Sequence, residues 1–225
     1  MNPLLHSATA ADPSGAAALA TDAGQSVAGE IGDDVFPLIE ACIATRRNHS
    51  AKSLVAPGPA PAQLRQLFAM AAAAPDHGAI LPWRFVVVPQ QKRALLGDAF
   101  AAALAERDPH AGITQFDDAR AKAQRSPFLA IAILRGGPAE ADIPLNERLI
   151  SLGAAIQNIL IGANALGFGA GLTSGKAMSS EPVRRLLNLE ATESAICCIN
   201  IGTAARAPRA RSKSRADTAE FISVL

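Results

Sequence analysis

The stretch Ala73-Ala74-Pro75-Asp76-His77-Gly78-Ala79-Ile80-Leu81-Pro82-Trp83-Arg84-Phe85-Val86-Val87-Val88 holds a helix end, a polar corner and a strand start in one short span. Pro75 biases Ala74 away from helical angles, so the alanine-rich helix before it stops there. Phe85 to Val88 are aromatic and β-branched, which predicts a strand entered through Pro82-Trp83. Asp76, His77 and Gly78 then form a loop at the edge of a sheet, the kind of place where binding groups collect on a rigid scaffold. Trp83 reads as core packing.

Toward the N-terminus, Pro57-Gly58-Pro59 is a turn, and Pro61 suits the first turn of a helix carrying Leu64, Leu67 and Phe68. From Asp34 an earlier helix places Val35, Leu38, Ile39, Cys42 and Ile43 on one face and ends in Thr45-Arg46-Arg47-Asn48. Two adjacent arginines there either complement the helix dipole or hold an anionic ligand. Residues 1–32 are rich in Ala, Gly, Ser, Thr and Asp and are expected to be a disordered tail, because they bury too little apolar surface to offset ordering entropy.

Toward the C-terminus the pattern predicts a helix over Gln91–Glu106, an irregular segment at 108–112, and a buried strand over Phe128–Leu134. Asn146–Leu166 is the longest helix, with a wide apolar face and the small residues Gly153, Ala154 and Ala155. Its surplus of apolar surface argues for a partner subunit. Gly167 to Lys176 reads as a glycine-dense loop or short strand, Ser180-Glu181-Pro182 as a helix start, and Ala195–Ile201 as a third apolar strand. Strands separated by helices in this order predict one α+β domain of three-layer character over residues 33–225, with a basic C-terminal arm from about 204.

The chain has 225 residues, 49% apolar but only 4% aromatic, so alanine and aliphatic side chains must fill the core. Net charge is +1, yet residues 1–45 carry six acids and no Lys or Arg, leaving 14 acids against 21 bases beyond them. A body of that sign suits an anionic ligand such as a phosphorylated cofactor, whereas nucleic acid calls for a denser basic stripe with aromatics to stack on. No apolar run reaches the roughly 18 residues of a membrane-spanning helix, and the N-terminus lacks the positive flank of a secretory signal. Cys42, Cys197 and Cys198 are odd in number and are not a disulfide framework, so a cytoplasmic protein is expected, with neither membrane nor nucleic acid as partner.

Several chemistries are excluded by spacing. Lys176 is followed by Ala177 and not by Ser or Thr, so 169–177 is no P-loop. Gly167-Phe168-Gly169 begins like a dinucleotide fingerprint, but Leu172 stands where the third glycine belongs. His6, His49, His77 and His110 are scattered without metal-ligand spacing, so no metal is expected. No Gly-x-Ser-x-Gly elbow occurs. The missing acid, base and nucleophile fit a protein whose bound cofactor does the chemistry.

Four segments together carry a resemblance. Thr45-Arg46-Arg47-Asn48, then Ala74-Pro75-Asp76-His77-Gly78 with Pro82-Trp83-Arg84-Phe85, then Gly153-Ala-Ala-Ile-Gln157-Asn158 with Ala165-Leu-Gly-Phe-Gly169, and finally Ile201-Gly202-Thr203 resemble the nitroreductase family over about residues 35–205. The branch most similar is the small single-domain NAD(P)H nitroreductase one (YdjA-like). The resemblance implies a central mixed sheet flanked by helices and a homodimer with FMN at its interface. It implies hydride transfer from NADH or NADPH through the flavin to a small-molecule acceptor such as a nitroaromatic or quinone. Carried over by position, Arg46, Arg47 and Asn48 contact the FMN phosphate and ribityl chain, and His77 contacts the flavin. Leu172, Thr173 and Ser174 form the late flavin-contacting segment, and Gly162, Ala163, Asn164, Ala165, Leu166 and Gly167 match the nicotinamide region. No side chain is implied as catalytic. Ala73 stands where the branch usually has arginine, and Leu172 and Thr173 replace a bulky aromatic and, often, an arginine. Each charged hydrogen bond lost costs roughly 1.5–3 kcal/mol of cofactor affinity, which leaves open the alternative of a flavin-poor dimer acting as a ligand-binding or interaction module.

Overall fold

The computed structural model describes residues 35–136, 142–205 and 215–224. The expected N-terminal tail, and the arm from 206 to 214, lie outside the described residues. The chain divides into two compact units, 1–41 and 42–225. The boundary falls within the first helix, α1 (Val35–Thr45), none of whose residues is buried.

The second unit is built on a sheet of five strands: β1 (Leu54–Val55), β2 (Trp83–Val87), β3 (Phe128–Arg135), β4 (Gly169–Thr173) and β5 (Glu193–Ala204). The order is β1-β5-β3-β2, and β4 also pairs with β5, off that path. All pairings between these strands are antiparallel. The parallel part of the expected mixed sheet is confined to one bridge, Asn48 with Ala170.

β3 is buried along nearly its whole length because both faces of the sheet are covered. Its Phe128, Ala130, Ala132 and Leu134 meet α2 (Pro61–Ala72) and α5 (Leu145–Ala165) in one core. Leu129, Ile131 and Ile133 meet α3 (Arg93–Arg107), α4 (Ile113–Ala121) and α6 (Glu181–Leu186) in the other. This alternation is the period of two that a strand imposes. It also sends Cys197 into the first core and Cys198 into the second, and Trp83 is core, 4% exposed.

Glycine sets how closely α2 and α5 pack. A Cβ on Gly162 would lie 2.6 Å from the Met70 sulfur and 2.8 Å from Leu67 Cδ2, so any larger residue there has to displace the ends of those side chains. Asn158 Nδ2 donates to the Met70 carbonyl, 2.9 Å, across the same contact. α5 ends at Gly167 (φ 81°), with Phe168 N–H returning to Ala163 O at 2.8 Å, a glycine-terminated cap.

The segment expected to be irregular after 107 continues into α4, which sequence periodicity did not reveal. Two buried polar groups were equally hidden. Arg93, 1% exposed, donates to the carbonyls of Val88 and Ala123 at 2.7 Å and of Ser126 at 3.3 Å. Burial lowers its pKa, and the carbonyls compensate the buried cation. Glu193, 5% exposed, accepts from Arg84 Nε and Nη2 at 2.6 Å each. Those hydrogen bonds hold its carboxyl below the ordinary 4.5 in spite of burial.

A depressed carboxyl pKa stabilises the fold above the unfolded value, and that contribution is lost as pH falls through the folded one. Glu193→Gln is therefore expected to lose about 2 kcal/mol at neutral pH, with the deficit shrinking as the wild type is acidified below the unfolded value. Urea unfolding at pH 7 and at a pH below the ordinary 4.5 reads both numbers.

Candidate functional site

The Arg46–Asn48 segment and the 172–174 segment, far apart in sequence, lie side by side. His49 N–H donates to Ala170 O at 2.9 Å and Asn48 Oδ1 accepts from Leu172 N–H at 3.3 Å. Gly171 makes this possible. A Cβ there would overlap the His49 carbonyl oxygen and lie 3.1 Å from Asn48 Oδ1. His49 is half-buried, which lowers its pKa and keeps the imidazole neutral at neutral pH. The glycine-dense sequence is thus a strand whose small residues admit a neighbouring backbone.

The side chains divide into those already engaged and those left over. Arg47 Nη1 donates to Ala44 O at 3.1 Å, completing the end of α1 as a dipole-complementing arginine does. Asn164 Nδ2 reaches Cys42 O (3.1 Å) and Thr45 Oγ1 (3.0 Å), and Arg215 Nη2 reaches Ile43 O (3.0 Å) and Ala44 O (2.7 Å). Arg215 is the one residue of the basic run after 204 that the structure describes, and it acts on a helix terminus. Thr173 Oγ1 accepts from buried Asn200, 3.1 Å, and Ser174 Oγ donates to Ile196 O, 2.8 Å. Asn200 also accepts from Ser126 Oγ at 2.9 Å, so a polar chain crosses the sheet beneath Thr173. The Arg46 guanidinium makes no ion pair or side-chain hydrogen bond among the described residues.

His77 lies elsewhere. Its Nδ1 is 2.6 Å from Glu147 Oε2 at the start of α5, whereas Thr45 is tied to Asn164 at the end of that helix. At the α-helical rise, Glu147 and Asn164 are about 26 Å apart, so one chain does not bring His77 to Arg46. The corner that carries His77 is held under strain. Gly78, Ala79 and Leu81 have φ of 72°, 51° and 47°, and Asp76 Oδ2 clamps the loop by accepting from Leu81 N–H at 2.7 Å. Non-glycine residues in this region persist where their surroundings over-determine them, and they gather at ligand sites. With Nδ1 committed to the carboxylate, Nε2 has no partner among the described residues.

Of the residues expected in the nicotinamide region, Gly162 and Ala163 are buried, Asn164 is engaged with α1, and Ala165, Leu166 and Gly167 are exposed.

Tested against FMN, the arrangement offers one uncommitted arginine beside a β4 backbone that glycine opens to close approach. At the other end of α5 it offers a histidine oriented by Glu147. These parts suit a phosphate and a flavin ring respectively, provided that a second copy supplies the second part. α5 has the surface for such a copy: Leu149 and Ile150 are 41% and 68% exposed, and a Cβ on Gly153 would touch nothing within 4 Å.

A family model described as the Nitroreductase family matches residues 43–203. A Haemophilus influenzae protein named "Putative NAD(P)H nitroreductase" is 29% identical over 184 residues, covering 81% of this chain and 97% of that protein. Among solved structures, a nitroreductase-like family protein from Bacillus cereus superposes with a TM-score of 0.71 at 20% identity, over 83% of this chain and 95% of that one. A nitroreductase with bound FMN from Bacteroides fragilis gives 0.60 at 16% identity, over 83% and 98%.

Proposed function

Because the chain belongs to the nitroreductase family, we propose that it is a homodimeric FMN oxidoreductase using NADH or NADPH to reduce a small acceptor such as a nitroaromatic or quinone. The observation that carries this reading is the side-by-side packing of the Arg46–Asn48 segment and β4, made possible by Gly171. FMN, when bound, would supply the electron transfer between the nicotinamide and the acceptor.

The chain's own residues bind and orient. Arg46 holds the phosphate, and a charge-assisted contact of that kind is among the strong hydrogen bonds available. Arg47, committed to Ala44 O, reaches the cofactor only by leaving that carbonyl. Asn48 acts through Leu172 N–H and fixes the height of the β4 end. Leu172, Thr173 and Ser174 contribute backbone, since both hydroxyls are used internally. His77 comes from the second copy, its ring set by Glu147. The nicotinamide contacts are proposed only at exposed Ala165, Leu166 and Gly167.

Purified protein is expected to be yellow, to release FMN on denaturation, and to bleach when NADH or NADPH is added without oxygen. A colourless protein that excess FMN cannot reconstitute defeats the reading. That outcome favours the second one, a flavin-poor dimer that binds another ligand, which the internal commitment of Arg47, Asn48, Thr173 and Ser174 supports.

A further inference from the structure

On the sheet face away from α2 and α5, a cavity of about 670 Å³ opens between α3, α4 and the segment that follows β4. That size lies within the range of small-molecule sites. Its floor is apolar: Phe100, Leu129 and Met178 are each at most 8% exposed. Cys198 joins them, its thiol pushed up to about 12 mainly by burial, so the floor holds no charge and no nucleophile. Thr173 and Ser174 stand at the edge, held by Asn200 and Ile196 O.

The rim is cationic. Arg107, Lys122, Arg125 and Lys176 line it, against Asp118 as the single acid. None of the four cations makes a side-chain hydrogen bond or ion pair among the described residues. Neighbouring cations behave differently: Arg120 on α4 pairs with Asp98 (3.0 Å) and Asp117 (3.5 Å), and Arg185 pairs with Glu181 (3.3 Å). Gathering unpaired like charges around one opening is unfavourable in the empty protein, and an anion in the cavity turns that repulsion into binding energy.

We propose that this cavity binds an organic anion, an aromatic body lying on the Phe100–Leu129–Met178 floor with its carboxylate, sulfonate or phosphate against Lys122, Arg125, Arg107 and Lys176. The role of that anion as a substrate rests on the flavin reading above; the binding itself does not. Two sources share this chemistry: an acidic aromatic acceptor, and the adenosine phosphate end of the nicotinamide co-substrate.

The test is a fluorescence titration of the full chain with 8-anilinonaphthalene-1-sulfonate, alongside the uncharged N-phenyl-1-naphthylamine, which keeps the aromatic body and lacks the sulfonate. Lys122→Gln with Arg125→Gln is expected to weaken the sulfonate dye at least tenfold and to leave the neutral dye within twofold. Lys176→Gln, on the opposite wall, is expected to act in the same direction. Displacement of the sulfonate dye by 4-nitrobenzoate but not nitrobenzene assigns the anion to an acceptor. Displacement by adenosine 2′,5′-bisphosphate assigns it to the co-substrate. Dye binding that survives the substitutions, equal losses for both dyes, or displacement by neither competitor overturns the assignment. The titration needs no flavin, so a colourless protein that still discriminates the two dyes separates failure of the flavin reading from failure of this one.

Discussion

Gly171→Ala is expected to be the most damaging single-methyl change in the protein, costing about 3 kcal/mol, the upper end for overpacking. The new Cβ would collide with the His49 carbonyl oxygen and press on Asn48 Oδ1. Both are held by short links to β4, His49 N–H to Ala170 O and Asn48 Oδ1 to Leu172 N–H. Backbone has no alternative rotamer with which to give way. Either the 48–49 segment lifts off and those two links are lost, or β4 shifts against β5, with which it pairs from Gly169 to Thr173. Gly175→Ala is the matched control: the same methyl, four residues on, meets nothing within 4 Å on extended backbone, φ 167°. It is expected to change stability by no more than about 0.5 kcal/mol. Urea midpoints for the two variants and the wild type make the comparison, and equal midpoints for all three would show that the close approach is not a constraint. If Arg46 holds FMN, Gly171→Ala also weakens flavin retention, because Arg46 is carried on the displaced segment.

The sheet and its covering helices were legible where composition and period leave little choice. Phe128–Leu134 is apolar throughout because both of its faces are covered, and Val86–Val88 is β-branched after the Pro75–Pro82 corner, although the strand there runs from Trp83 to Val87. What was not legible depends on partners that sequence separates. Arg93 looks like an ordinary surface base until the carbonyls of Val88, Ala123 and Ser126 surround it. Asn200 inside an apolar run gives no sign that it joins Ser126 to Thr173. α4 was missed because its exposed faces mix Ile113, 82% exposed, with acids and bases and present no clean apolar stripe. The glycines of 167–175 suggested a loop, and the physical reason for them, the approach of Asn48 and His49, comes from more than a hundred residues earlier. The candidate site follows the same logic. Its segments are proposed from the family resemblance, and nothing in their spacing tells that Arg46 and His77 stand at opposite ends of α5.

That separation makes a strong prediction about assembly. Suppose each site takes Arg46 from one protomer and His77 from its partner. Arg46→Glu then replaces a phosphate-binding cation with a repelling acid and is expected to cost a hundredfold or about that in FMN affinity. His77→Ala removes a ring contact and is expected to cost roughly tenfold. Neither homodimer has an intact site. A heterodimer isolated by two different tags after co-expression is another matter. One of its sites draws Arg46 from the His77→Ala chain and His77 from the Arg46→Glu chain, and so is complete, whereas the other carries both defects. Retained FMN should return to about half the wild-type level per chain, the share that twofold symmetry dictates. A site built within one chain gives the opposite result, since each protomer then keeps its own lesion and mixing restores nothing. The measurement is flavin absorbance per protomer for the three tagged species at equal free FMN. Its outcome turns on where α5 places its two ends: a helix that holds the two halves of a site about 26 Å apart cannot itself close that site, so recovery in the mixed species requires the second subunit to have done so.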